Sequence, residues 1–204
     1  MVGQPDTGRP DLPAVAAWRH VEAREGYEVT FFAVGPDSVT IEGTSAATED
    51  GVSWWASYRI ELDHDWTTRR AEVHGRSPIG EHRRELVSDG LGRWTVDGRH
   101  EPALDGCVDV DLEASACTNT IPVHRLDLQR DEQADAPAVY VRADDLRVER
   151  LDQRYCLGPE QSSGLGHDTW RLHYQAPRFD ADFDLTLDRF GLVLIYPHLA
   201  ERTA

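Results

Sequence analysis

The ten residues 179–188, FDADFDLTLD, alternate without error: Phe179, Ala181, Phe183, Leu185 and Leu187 are interleaved with Asp180, Asp182, Asp184, Thr186 and Asp188. A helix would scatter these apolar side chains around its circumference, whereas a strand sends all of them to one face. One wet and one buried face marks an antiparallel sheet; strands of a parallel sheet are apolar throughout. The same period of two recurs upstream. Tyr27, Val29 and Phe31 share a parity, Val39 and Ile41 alternate with Thr40 and Glu42, and Trp54, Ala56, Tyr58, Ile60 and Leu62 alternate with Ser57, Arg59, Glu61 and Asp63. Each run is expected to bury its apolar face.

Turn chemistry agrees. Asp-Gly occurs at 50–51, 89–90, 97–98 and 105–106, and both residues of such a pair tolerate the positive φ that tight hairpins need. Gly35-Pro36-Asp37-Ser38 and Asp188-Arg189-Phe190-Gly191 read as further turns, the latter between the last two strands, and DEQADAP at 131–137 reads as a polar loop. No long helical period separates the strands, which excludes a doubly wound sheet of βαβ units. AVAAWRHVEA fits either a short helix or an edge strand. Residues 1–12, with Gly and Pro and no period, read as a tail, and 13–204 as one domain with no internal linker. The 204 residues suffice for a self-supporting core.

Composition narrows the function. The net charge of -16, from 37 acidic residues and 21 basic ones that are all Arg, repels phosphate backbones, so nucleic acid is not an expected partner. An Arg-only, Asp-rich chain fits a GC-rich genome, with salt adaptation as the alternative. No apolar run approaches the roughly 20 residues of a membrane span. The opening MVGQPDTGRPDLP has neither the basic region nor the apolar core of a secretory signal, and a cytoplasmic location is expected. Cys107, Cys117 and Cys156 form no disulfide framework; buried thiols are the expected state, a Cys107–Cys117 bridge the alternative.

The catalytic signatures of nucleophile elbows, zinc proteases and phosphate loops are absent, and SSGLGHD at 162–168 lacks the lysine of a phosphate loop. The nine His, among them His64, His124 and His198, show no ligand spacing, so neither a metal nor another cofactor is expected. In CVDVDLEA, Val108, Val110 and Leu112 face one way and Asp109, Asp111 and Glu113 the other. That polar side is either a solvated face, the wall of a ligand cavity, or a metal site. Six Trp and six Tyr supply aromatic faces with polar edges, suited to lipid tails and sugar rings alike, unless they serve ordinary sheet packing.

Residues 84–126 contain DGLGRWTVDG, LDGCVDVDL and TNTIPVHRL, followed by LDQRY at 151–155, FDADFDLTLD at 179–188 and GLVLIYPHL at 191–199. In this order, over roughly residues 15–200, they resemble the putative glycolipid-binding family of bacterial proteins. The resemblance implies a mainly β, single-domain spiral β-roll: a long antiparallel sheet curled into a half-barrel trough, with little helix, similar in form to bacterial lipoprotein carriers. It also implies a glycolipid or another amphiphile held in that trough without catalysis. Among the motif residues, Gly92 and Gly106 fit turn requirements and Pro122 and Pro197 strand ends. Trp94, Asp109, Asp111, Asn119, Arg125, Gln153, Tyr155 and Tyr196 are the candidate ligand-binding residues. Arg125 suits bidentate pairing with a carboxylate, either a ligand's or one belonging to a network that holds the roll together. The alternatives are an enzyme acting on a polar or sugar-containing metabolite through Asp109, Asp111 and Arg125, or an interaction module that dimerises through an open sheet edge.

Overall fold

The structure, a computed structural model, describes residues 12–162 and 168–204. The expected tail (except its last residue) and the centre of the SSGLGHD loop lie outside the described residues. Fourteen strands form one sheet. From the chain's start come β1 (Val15–His20), β2 (Glu25–Val34), β3 (Ser38–Glu49), β4 (Val52–Asp63), β5 (Thr68–Ser77), β6 (Gly80–Ser88), β7 (Trp94–Val96) and β8 (Arg99–His100), each paired with the next. The chain then leaves this sheet through β9 (Asp109–Leu112) and helix α1 (Thr120–Leu126). It touches the far edge of the large sheet with β10 (Gln133–Asp135), adds β11 (Ala138–Val141) and β12 (Val148–Leu151) beside β9, and returns. The strands β13 (Arg154–Ser162), β14 (Asp168–Ala176), β15 (Ala181–Leu187), β16 (Val193–Tyr196) and β17 (Ala200–Arg202) then run back to the centre, where β17 pairs with β1. The large sheet is antiparallel and does not close into a barrel.

Hydrophobic packing explains the curl. Trp18, Ile41, Ile60, Leu86 and Trp94 on the inner face of one half meet Val110, Leu112, Ile121 and Val139 of the small sheet and α1. Tyr155, Leu172, Tyr174, Leu185 and Val193 of the other half close on Leu128, Tyr140 and Leu151. The three-stranded sheet and the helix therefore fill the trough with the protein's own side chains. Among the described residues, no helix is long and apolar enough to cross a membrane.

Several sequence expectations are corrected here. AVAAWRHVEA contributes a strand, and β1 lies in mid-sheet between β2 and β17. TIPVHRL is a helix: Pro122 sits in its first turn, where a missing N–H costs nothing, and Asp127 ends it at φ 46. Pro197 does follow a strand end. The polar loop at 131–137 contains the edge strand β10. Asp188–Gly191 links β15 to β16, with β17 still to come. Of the Asp-Gly pairs, 50–51 and 97–98 make two-residue hairpins with both φ positive, whereas 89–90 and 105–106 lie in longer connections. Among the described residues one strand pair is parallel, β9 with β11, connected through α1 and β10.

The largest departure is β2. Tyr27 and Phe31 are 61% and 58% exposed, while Glu28 and Thr30 are fully buried. Neighbouring strands impose this parity. Phe32 stands opposite the buried Ile41, Thr30 opposite Gly43, and Gly43 opposite Tyr58, so the even residues of β2 share the inner face. Gly43 leaves space for the Tyr58 ring, since a Cβ there would come within 2.3 Å of its Cζ and hydroxyl. The ring end thereby reaches Glu28.

Candidate functional site

The carboxylates of β9 do not face solvent. All four β9 residues are buried, which overturns the solvated-face reading of CVDVDLEA. Both oxygens of Asp109 are taken by Arg125, whose Nε and Nη2 each donate at 2.7 Å. Burial pushes the Asp109 carboxyl up from its ordinary value, and the Arg125 pairing opposes this. The pair ties α1 to β9 and belongs to the network that holds the roll together. Two residues on, Asp111 accepts the Thr118 hydroxyl at 2.7 Å and lines a cavity of about 630 Å³.

This cavity lies where the small sheet meets turns of the large one. Arg24 in the β1–β2 turn, Glu49 at the end of β3, and Asp111 and Glu113 from the β9 segment form its polar side, together with Asn119. Tyr140, Tyr174, Phe179, Phe183 and Tyr196 supply an aromatic wall. The rings are mutually braced, with centroids 5.2 Å apart for Tyr140–Phe179, 5.6 Å for Tyr174–Phe183 and 5.4 Å for Phe183–Tyr196. Burial holds the hydroxyls of Tyr140, Tyr174 and Tyr196 above the ordinary tyrosine range, so they remain neutral donors.

Of the sequence candidates, Asp111, Asn119 and Tyr196 line the cavity. Tyr155 and Gln153 stand one layer behind. The Tyr155 hydroxyl donates to Asn119 Oδ1 at 2.9 Å, and the Tyr174 hydroxyl donates to Gln153 Oε1 at 3.1 Å. Both arrangements orient lining residues. Trp94 stands apart, fully buried in the core with its indole N–H on the Cys107 carbonyl at 2.8 Å. Gly92 and Gly106 do serve turns: both have positive φ, and Gly106 N–H bonds the Gly92 carbonyl at 2.7 Å. Cys107 and Cys117 are buried free thiols. Among the described residues, no three His, Cys, Asp or Glu side chains gather as a metal site.

The sequence pattern did not single out Arg24, Tyr140 or Tyr174. Tyr140 sits in the continuously apolar AVYV, which signals a fully buried strand, but nothing local marks Arg24. Nor did it single out the polar cluster behind the cavity. There the Glu28 carboxylate accepts the Tyr58 hydroxyl at 2.5 Å, the Ser115 hydroxyl and the Ala116 N–H at 2.7 Å. It thereby anchors the turn that carries Ser115 and leads to Asn119.

A second cleft of about 450 Å³ lies on the outer face around Phe31 and Arg59. Its charged lining residues pair with one another across the sheet surface, Arg59 with Glu42 and Arg83 with Glu72. The inner cavity instead presents buried ionisable groups, the usual mark of a site.

Burial pushes the Asp111 carboxyl up to about 6, the Thr118 hydrogen bond opposing and the nearby Asp109 and Glu113 charges adding. The folded protein therefore keeps this proton at pH values where the unfolded chain, near 3.8, has released it. The resulting stabilisation is complete below about pH 4 and is lost as the pH rises to about 6. Asp111→Asn cannot ionise. Its stability relative to wild type is expected to improve by about 3 kcal/mol between pH 4 and pH 7.5, measured by urea unfolding at both values. A pH-independent difference would show that Asp111 titrates normally.

The family model described as "Putative glycolipid-binding" matches residues 15–202. The crystal structure of a DUF1089 family protein from Pseudomonas aeruginosa superposes with a TM-score of 0.69 at 30% sequence identity, covering 86% of this chain and 92% of that one. No curated protein sequence matches.

Proposed function

Since the chain belongs to the putative glycolipid-binding family, we propose that its inner cavity binds the sugar head group of a glycolipid and leaves the acyl chain outside the packed trough. The observation that carries this reading is the pairing of one aromatic wall with one polar wall in the same cavity. Aromatic faces suit the apolar faces of a sugar ring, while Asp111, Glu113 and Asn119 supply acceptors for its hydroxyls. The volume of about 630 Å³ lies within the roughly 300–1,000 Å³ of small-molecule sites. The apolar inner faces of the strands, by contrast, pack against β9, β11 and α1.

Titration calorimetry with an alkyl glycoside and an alkyl polyoxyethylene ether of equal chain length tests the reading. The glycoside is expected to bind at one equivalent, and Tyr196→Ala to weaken it at least tenfold. Equal binding of the ether would place recognition in the tail and contradict the proposal.

One observation favours a second reading. Asp111, uncharged in part near pH 6, has the protonation behaviour of a general acid and faces the same cavity. Release of free sugar from the bound glycoside would establish that activity. Asp109 and Arg125 saturate one another and contribute no reactive group to it.

A further inference from the structure

Arg24 lines the cavity, yet only 2% of it is exposed. Its Nη1 donates to the Glu113 carbonyl at 2.8 Å, and its guanidinium lies 5.3 Å from the centre of the Trp54 ring. Its Nε and Nη2 are buried and have no hydrogen-bond partner. A buried guanidinium with unmade hydrogen bonds is costly, and burial acts against its charge. The carboxylates of Glu49, Glu28 and Glu113 support that charge through space. Two of them are committed elsewhere: Glu28 to Tyr58, Ser115 and Ala116, and Glu113 to the Ala143 N–H at 2.7 Å and Arg142 at 3.4 Å.

Nε and Nη2 form the side of a guanidinium that matches the two oxygens of an oxyanion. Arg125 shows this match within the same protein, its Nε and Nη2 each 2.7 Å from an Asp109 oxygen. The cavity also holds Arg24 in place. Val21 N–H bonds the Leu199 carbonyl at 3.0 Å and Ala23 N–H the His198 carbonyl at 3.2 Å, joining two turns that both line it.

We propose that the Nε–Nη2 fork of Arg24 receives the carboxylate, or the singly charged phosphodiester, of an acidic sugar head group. The inference rests on the head-group reading of the cavity. The surrounding charges sharpen the ligand class. Asp111 and Glu113 inside, with Asp180 and Asp182 at the exposed rim, accept hydroxyls and repel multiply charged anions, so a single oxyanion on a hydroxyl-rich ring fits the set.

Calorimetry of the full chain with octyl glucuronide, octyl glucoside and inorganic phosphate tests this. Wild type is expected to bind the glucuronide at least tenfold more tightly than the glucoside, and Arg24→Met to bind the two equally. Displacement of the glucuronide by phosphate at equal concentration would support the fork but identify free phosphate, rather than a head group, as the ligand. If Arg24→Met does not fold, the Arg24 Nε–H resonance of the wild type, assigned by its loss in a folded Arg24→Lys, provides the readout. It is expected to shift with the glucuronide and to stay in place with the glucoside. Equal affinity of wild type for both glycosides, or a preference that survives Arg24→Met, overturns the inference and leaves the head-group reading standing. Binding of neither glycoside overturns both.

Discussion

Glu28→Ala is expected to destabilise the protein by about 3–5 kcal/mol, whereas Phe31→Ser, three residues away on the same strand, should change stability by no more than about 0.5 kcal/mol. The contrast follows from the inverted parity of β2. Glu28 is fully buried, and its truncation strands the Tyr58 hydroxyl, the Ser115 hydroxyl and the Ala116 N–H, and deprives the buried Arg24 of one supporting carboxylate. Phe31 is 58% exposed and loses only surface contacts. Urea unfolding of the two variants decides the matter. A Phe31→Ser penalty of core size, with Glu28→Ala nearly neutral, would mean that β2 presents the opposite face to the core.

Arg125→Ala is expected to cost a similar ~3–5 kcal/mol, because the fully buried Asp109 carboxyl loses both hydrogen bonds that sustain its charge and must either stay charged unpaired or take up a proton. The double variant Asp109→Leu, Arg125→Met removes both charges and should recover most of that loss. The non-additivity, read by denaturation of the two single variants and the double, is the signature of a buried pair. Additive losses would mean that the pair is not formed. The result also bears on function. Arg125, held by Asp109, supports the wall behind Asp111, and folded variants at this pair are expected to retain one binding equivalent for an alkyl glycoside.

The strands were legible where one face is apolar and the other polar. Val39–Leu62 and Ala181–Leu187 alternate because a single wet face is enough to mark them, and the hairpins at 50–51 and 97–98 follow from Asp-Gly chemistry. β2 defeats the same rule. Its apolar residues face water and its Glu and Thr face inward, a parity set by pairing with β3 and by a polar cluster brought from residues 58 and 115–116. No local pattern contains that information. α1 was missed because seven residues with a proline span too few turns to show a helical period.

The motif residues fall in different layers around the cavity. Asp111, Asn119 and Tyr196 reach the cavity, Gln153 and Tyr155 brace it, Asp109 and Arg125 lock each other, and Trp94 packs in the core. Arg24 was illegible because its importance comes from burial beside Trp54 and Glu113, residues distant in sequence.

Carriage of a glycolipid by its head group is decided by native mass spectrometry of the protein purified from its own host, followed by organic extraction. One equivalent of a glycolipid, lost in Tyr196→Ala, is the predicted result. A clean apo mass, with no uptake when the protein is challenged with host lipids, would contradict it.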